Sequence, residues 1–173
     1  YPFLLAHSDS SVVLNGDSKE NEIVETAIGQ GKTLATPLHM AMIACAVAND
    51  GMMMKPYIVD HIQYYNGAVS KTTVPEKLDE VFSAEYANII TDMMVSCVEE
   101  GTGTAARISG IEVAGKTGTA ENATGSDHSW FIGFAPADNP KVSVAVVIEN
   151  ADQDGRATPI AAKVLQAALE KYQ

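Results

Sequence analysis

Three apolar segments in the second half of the chain, separated by short links, constrain the fold most strongly. They read "IEVAGKTGTAE", "SWFIGFAPA" and "KVSVAVVIEN" and begin at Ile111, Ser129 and Lys141. Each is rich in β-branched or aromatic residues, which favour strands. The links contain a polar loop at 123–127 and the turn residues 138–140, so neither link can hold the crossover that parallel strands need. We therefore expect an antiparallel meander.

A helix is predicted upstream of these strands. The segment "TPLHMAMIACAVANDG" begins with Thr36 as N-cap and Pro37 at the first helical position, and it stops at Gly51. Apolar residues cover nearly every face of this segment. We therefore expect a helix that is buried all round.

Two further helices complete the predicted architecture. One runs from Ser83 as N-cap to Gly101. Its apolar residues recur at three- and four-residue intervals and predict one buried face, with the methionines packed as core: Tyr86, Ile89, Ile90, Met93, Met94, Cys97 and Val98. The other opens at Thr158-Pro159 and runs through Tyr172, and it can cover one face of "KVSVAVVI", which is apolar on both faces. The expected fold class is α/β of the α+β kind, an antiparallel sheet flanked by helices.

The remaining segments are predicted to lie outside this layered body. Residues 1–34 are mixed and polar and indicate irregular structure. Residues 55–77 carry β-branched and aromatic residues on both sides of Asn66-Gly67, which predicts a hairpin that leaves the main body. The length of 173 residues suits one domain. Because no charged leader region precedes Tyr1, we expect a piece of a longer protein, with the domain beginning upstream.

Composition and charge argue against several function classes. With a net charge of -11, the chain has no clustered Lys and Arg for a nucleic acid or an anionic membrane surface, so no nucleic-acid partner is expected. The longest apolar run, Met40–Ala48, is too short to cross a bilayer. Cys45 and Cys97 are predicted to be buried thiols, although a disulfide between them stays open. The histidines are dispersed and there is no Cys-x-x-Cys, so neither a metal nor a cofactor is expected.

The candidate site is the Lys-Thr-Gly triplet on the first predicted strand. Side chains alternate along a strand, so Lys116 and Gly118 should face one way and Thr117 and Thr119 the other. Lys116 offers a cation and a proton path, and Thr117 offers a hydroxyl for a carboxylate. Gly118 leaves room for a ligand, and the Thr119 N–H can donate to an oxyanion if the strand is a sheet edge. These groups suit an acyl substrate that bears a carboxylate.

The triplet alone is a weak signal, but its surroundings form several motifs in order. The segments "AIGQGKTLATPLHMAMIACAVANDG", "GIEVAGKTGTAE" and "HSWFIGFAPADNPKVSVAVVIEN" together resemble the C-terminal part of the transpeptidase domain of penicillin-binding proteins. The resemblance extends from Ile28 to Leu169. It implies that the three strands belong to a five-stranded antiparallel sheet. It also implies acylation of a serine by the D-Ala-D-Ala end of a peptidoglycan stem peptide, or by a β-lactam, in an extracytoplasmic and usually membrane-anchored enzyme.

The resemblance also implies roles for single positions. Lys116, Thr117 and Gly118 match the family's Lys-Thr/Ser-Gly triplet, which lines the cleft. Thr119 matches the residue whose N–H belongs to the oxyanion hole. Catalytic roles are thereby implied for Lys116 and Thr117, and substrate-binding roles for Gly118 and Thr119. The following strand and the "GQG" turn upstream match positions that we interpret as architectural.

Two further motifs of the family do not occur in this sequence. No serine has a lysine three residues later, so Ser-x-x-Lys, which holds the nucleophile and its base, is missing, and so is Ser-x-Asn. In the family both precede the matched region, and we expect the longer protein to supply them. The parent should then be a D,D-transpeptidase, whereas this chain alone should not be acylated. We also expect the "KVSVAVVI" strand to leave an unpaired apolar edge that self-associates or pairs with another chain.

Two alternative functions remain open at this point. A serine β-lactamase or a β-lactam sensor would share the sheet and the Lys-Thr-Gly strand, although the apolar helix followed by a hairpin fits the biosynthetic enzymes better. A non-catalytic module that docks peptides on a sheet edge is the third possibility. A Ser-x-x-Lys motif in the upstream sequence would eliminate that module.

Overall fold

Helices and strands alternate along the part of the chain that the structure describes. The computed structural model describes residues 5–122, 125–151 and 156–172. In chain order the elements are α1 (Glu20–Ala27), α2 (Pro37–Ala48), β1 (Met52–Met54), β2 (His61–Gln63), β3 (Val69–Thr72), β4 (Lys77–Glu80), α3 (Ala84–Glu99), β5 (Ala114–Ala120), β6 (His128–Ala135), β7 (Val142–Ile148) and α4 (Ala157–Leu169). Short 3-10 turns cover Thr104–Ala106 and Glu170–Tyr172. No described helix combines the length and apolar character that a bilayer span requires.

The main sheet is a three-stranded antiparallel meander in the order β5-β6-β7. Thr117 lies opposite Phe131 and Gly118 opposite Trp130. Strand β6 is central, so β5 and β7 are the two edges of this sheet within the described residues. The predicted α+β class with an antiparallel sheet is therefore confirmed.

Helices cover both faces of the sheet. On one face, Phe131 of β6 packs with Val98 of α3 and Leu165 of α4, all fully buried. On the other face, Phe134 packs with Val47 of α2 and with α3. Burial of one such aromatic side chain stabilises the fold by about 1.5–3 kcal/mol. The prediction that helices lie on both sides of β7 is confirmed, because β7 contacts both α2 and α4.

Helix α2 begins as predicted, but it is not buried all round. The Thr36 side chain accepts a hydrogen bond from the His39 backbone N–H at 3.2 Å, and Pro37 occupies the first turn. Cys45 is exposed, so the predictions of a fully buried helix and of a buried Cys45 are wrong. Its Sγ lies 2.7 Å from the Ser143 hydroxyl on β7. The thiol is exposed because β7 has no further strand beside it within the described residues.

Helix α3 has the predicted N-cap, but its buried face is narrower than predicted. Met94 and Val98 are buried, and Cys97 is half-buried and free. Three members of the predicted face are instead exposed: Tyr86 by 62%, Ile89 by 42% and Met93 by 63%. At about 100° per residue these three lie roughly a quarter turn around the helix from the buried line, so the sheet does not reach them. The Met93 side chain is therefore not core, contrary to prediction.

The first third of the chain is more regular than predicted. Residues 20–27 form α1, where irregular structure was expected. The Glu22 side chain accepts a hydrogen bond from the Lys19 backbone N–H at 3.0 Å and thereby closes the first turn. Of the predicted irregular segment and the predicted polar loop, positions 1–4 and 123–124 lie outside the described residues.

The segment between α2 and α3 forms two small antiparallel pairs, β1 with β4 and β2 with β3. Strands β2 and β3 are exposed throughout and are joined by a turn in which Gly67 has a φ of 83°. A left-handed φ is the reason that glycine suits this position. The hairpin around Asn66-Gly67 is thus present, carried on the β1–β4 pair.

Candidate active site

The Lys-Thr-Gly triplet lies on β5, which is an edge strand of the main sheet within the described residues. Lys116 and Thr119 are exposed, whereas Thr117 and Gly118 are half-buried. The motif is therefore neither helical nor sealed beneath packed side chains. The open edge that an acyl-binding strand needs is available here.

Two side chains identify which backbone groups of β5 point away from β6. The Lys116 ammonium donates to the Thr117 carbonyl oxygen at 2.7 Å, and the Gln30 amide donates to the Thr119 carbonyl oxygen at 3.3 Å. Both carbonyls therefore face the open side of the strand. In an antiparallel strand the N–H and C=O of one residue point the same way. The N–H groups of Thr117 and Thr119 accordingly point to the open side as well.

Two cavities border the rim formed by Thr117–Thr119. The larger, with a volume of about 750 Å³, is lined by Lys116 and Trp130 and by the segment 28–35; we call it the Lys116 cavity. The smaller, of about 380 Å³, is lined by Thr102, Arg156 and residues 127–130; we call it the Arg156 cavity. Each cavity thus has one cationic side chain beside the rim. An anionic ligand laid along β5 would find positive charge on either side.

Thr117 has a side-chain partner that the sequence did not indicate. Its hydroxyl oxygen lies 2.6 Å from the hydroxyl oxygen of Thr102, in the turn that follows α3. The sequence marked this "GTG" turn only as the end of the preceding helix. No local pattern predicts a contact between residues 15 positions apart in two different elements.

The glycines of β5 and β6 serve Phe131 and Trp130 to different degrees. A Cβ on Gly115 would lie 2.2 Å from the Phe131 ring, and one on Gly133 would lie 2.4 Å from the Ala114 carbonyl oxygen. A Cβ on Gly118 would meet the Trp130 Cβ at 3.2 Å, a tight contact that a small shift relieves. The steric requirement for glycine is therefore strongest at positions 115 and 133, and at 118 it concerns Trp130.

The serine that lines these cavities is already engaged in structure. Ser129 accepts a hydrogen bond from the Ala157 backbone N–H at 3.0 Å, which satisfies a donor at the start of α4. Since its N-cap residue Arg156 provides no side-chain cap, Ser129 replaces that cap. Within the described residues, neither cavity is lined by another serine.

The "GQG" turn approaches the site through an ion pair. Lys32 donates to a Glu22 carboxylate oxygen at 2.7 Å and so ties α1 to the segment that lines the Lys116 cavity. The hydrogen bond from Lys32 lowers the pKa of Glu22, and the same bond raises the pKa of Lys32. Both groups are solvent-exposed, so this pair is a modest tether. No described group of His, Cys, Asp and Glu residues is arranged to hold a metal ion.

Comparison with known proteins gives the same answer at the level of sequence families. The family model described as "Penicillin binding protein transpeptidase domain" matches residues 5–170. The peptidoglycan D,D-transpeptidase PbpA of Mycolicibacterium smegmatis is 38% identical over 156 residues, which are 84% of this chain and 32% of that protein. The motif resemblance is therefore confirmed.

Solved structures agree with this assignment. The D,D-transpeptidase domain of a peptidoglycan glycosyltransferase from Eggerthella lenta is 47% identical, with a TM-score of 0.76 over 82% of this chain and 33% of that one. Penicillin-binding protein A from M. tuberculosis, solved as an imipenem acyl-enzyme complex, is 38% identical, with a TM-score of 0.85 over 94% of this chain and 37% of that one. The chain spans about a third of the length of the relatives it matches. It belongs to the penicillin-binding protein transpeptidase domain family.

Proposed function

We propose that this chain forms one wall of the substrate cleft of a peptidoglycan D,D-transpeptidase, and that the rest of the same domain supplies the nucleophilic serine. One observation carries the proposal: at Thr117 and Thr119 the backbone of β5 points to the open side of an edge strand. The names of the relatives, peptidoglycan D,D-transpeptidases, support the choice of reaction. The absence of Ser-x-x-Lys and Ser-x-Asn from the sequence supports the division of labour.

The proposed reaction begins with attack of the serine oxygen on the carbonyl carbon between the two D-Ala residues of a stem peptide. The C–N bond then breaks, the terminal D-Ala leaves with a proton on its amine, and the acyl group remains on the serine. An amine of a second stem peptide attacks this ester, which forms the cross-link and frees the serine. The negative charge that develops on the carbonyl oxygen is the main electrostatic demand of both steps.

The residues of β5 would meet these demands from one side. The Thr119 N–H donates to the developing oxyanion, and the Thr117 hydroxyl donates to the terminal carboxylate of the stem peptide. Lys116 supplies positive charge beside both and a path for the proton. The Gly118 backbone lets the peptide lie along the strand in the manner of an added β-strand. A β-lactam, with its own carboxylate and strained carbonyl, would occupy the same positions and remain attached to the serine.

The proposal also places the domain in the cell. Its substrate lies outside the cytoplasm, so the catalytic part must lie there too. We infer that another part of the protein, beyond the residues given by this sequence, holds it to the membrane.

A fluorescent penicillin tests the proposal. The full-length protein should form an adduct that survives boiling, whereas the isolated chain should form none. Replacement of Thr117 by Val in the full-length protein should slow formation of the adduct without changing the melting temperature. A labelled band from the isolated chain, or no band from the full-length protein, would contradict the proposal. Slow release of the label would identify a transpeptidase, and rapid catalytic turnover would instead favour a β-lactamase.

We also propose that the outer edge of β7 pairs with a further strand of the same domain. Val142 and Ser143 on this edge line a cavity of about 730 Å³ together with Cys45 and Met52, and the thiol of Cys45 is exposed there. An unpaired edge with apolar neighbours favours association. The isolated chain should therefore form dimers or larger species at high concentration. Elution of the isolated chain as a monomer at every concentration would argue against this pairing.

A further inference from the structure

The turn after α3 is built to present one hydroxyl to β5. The backbone N–H groups of Gly101 and Gly103 both donate to the Cys97 carbonyl oxygen, at 3.1 and 2.9 Å. A Cβ on Gly101 or Gly103 would lie only 2.9 or 3.1 Å from that same oxygen. The two glycines therefore let the chain close tightly on the end of the helix. Thr102 is the residue between them.

The Thr102 hydroxyl lies between a thiol and the proposed substrate hydroxyl. Its oxygen is 2.6 Å from the Thr117 hydroxyl oxygen and 3.7 Å from the Cys97 sulfur. Thr102 and Thr117 both line the Arg156 cavity. The contact is thus at the rim of the proposed cleft, where a ligand carboxylate would be held.

The direction of the hydrogen bond between the two hydroxyls decides what Thr117 can do. A threonine hydroxyl has one proton to donate and lone pairs that accept. If Thr117 gives its proton to Thr102, none remains for a carboxylate. If Thr102 is the donor, the Thr117 proton is free for the ligand, and the accepted bond polarises the Thr117 hydroxyl and strengthens its donation.

We propose that Thr102 is a positioning residue that donates its proton to Thr117 and so directs the Thr117 proton to the ligand carboxylate. This inference rests on the proposed function, because it assumes that Thr117 binds a carboxylate. It goes further in assigning a role to a residue outside the Lys-Thr-Gly strand. It also gives the "GTG" turn a purpose besides ending α3.

A purely structural role for the same contact is the competing explanation. In that case the hydroxyl pair only fastens the turn to the strand, and its loss would weaken the fold or slow acylation by every ligand alike. The two explanations differ in whether the effect depends on the carboxylate of the ligand.

The test compares Thr102→Val with Thr102→Ser in the full-length protein. The measured quantity is the second-order rate constant of acylation by a penicillin and by the methyl ester of the same penicillin. Thr102→Val should lower the rate constant for the free acid about tenfold, the effect of one charge-assisted hydrogen bond, and that for the ester less than about twofold. Thr102→Ser should restore the rate for the acid. In a Thr117→Val background, Thr102→Val should have no further effect.

Thr91→Val is the matched control, because the Thr91 hydroxyl donates to the Ala87 carbonyl within α3, away from the site. It should leave both rate constants unchanged. An equal loss for acid and ester, or no loss for either, would overturn the role of Thr102 while the proposed function stands. If the unsubstituted full-length protein is not acylated by either compound, the proposed function fails and the role of Thr102 with it.

Discussion

The side-chain amide of Gln30 donates a hydrogen bond to the carbonyl oxygen of Thr119 at 3.3 Å, across 89 positions of sequence. The turn that precedes α2 is thus in contact with the strand that carries the candidate site. We expect this contact to hold the outward orientation of the Thr119 peptide unit. Gln30 is then more than the architectural residue that the motif indicated.

Replacement of Gln30 by Ala tests this orientation. The acylation rate of the full-length protein should fall about two- to fivefold, because one neutral hydrogen bond to the strand is lost. The ratio of rates for a free acid and its ester should stay constant, since Gln30 acts on the oxyanion side. Gln166→Ala, on the exposed side of α4, is the control and should have no effect. An unchanged rate for Gln30→Ala would refute the role.

Lys116 should matter for chemistry and not for stability. Its side chain is exposed, and its ammonium contacts only the next carbonyl among the hydrogen bonds described. Lys116→Met should lower the acylation rate by about a hundredfold or more, as expected for loss of charge and of a proton path. The melting temperature should not change. Lys163→Met, at an exposed position of α4, should affect neither quantity. A Lys116 variant that acylates normally would remove this residue from the site.

Gly115 is the position at which the fold tolerates a side chain least. An added Cβ would lie 2.2 Å from the fully buried Phe131 ring. Gly115→Ala should therefore lower the free energy of unfolding by about 1–3 kcal/mol, measured by denaturant titration. Gly16→Ala has no atom within 4 Å of the new Cβ and should stay within about 0.5 kcal/mol. Equal stabilities for the two variants would contradict the packing described.

The Glu22–Lys32 pair predicts a pH dependence for α1. The pKa of Glu22 is lowered in the folded protein, so its contribution is present above the ordinary glutamate value and is lost as the pH falls through the lowered one. The pKa of Lys32 is raised, so its contribution is lost as the pH rises through that raised value. The pair thus stabilises α1 between these limits.

Hydrogen exchange of the α1 amides measures this effect. Protection should decrease on acidification in the unsubstituted protein and should change less in Glu22→Gln. Glu85→Gln, in the first turn of α3, should behave like the unsubstituted protein. If Glu22→Gln shows the same acid dependence as the unsubstituted protein, the ion pair does not tether α1.

The sequence predicted those features that local patterns encode. The three strands of the sheet, the caps at Thr36 and Ser83 and the turn at Gly67 all follow from alternation, capping chemistry or a left-handed φ. The position of Lys-Thr-Gly on an edge strand was likewise predictable from the order of the motifs.

The remaining features depend on contacts that periodicity does not record. Apolar spacing placed Met93 in the core of α3, but spacing alone does not show which part of an apolar face meets a partner. The exposure of Cys45 follows from its position beside the β7 edge. The contacts of Thr117 with Thr102 and of Thr119 with Gln30 join separate elements, so they became visible only in three dimensions.

A structure of the full-length protein acylated by a β-lactam tests the central claim most directly. We predict that the carbonyl oxygen of the bound acyl group lies about 2.7–3.1 Å from the Thr119 nitrogen. We also predict that the carboxylate of the bound β-lactam accepts a hydrogen bond from the Thr117 hydroxyl. An acylated serine whose carbonyl oxygen and carboxylate are both turned away from β5 would contradict the claim.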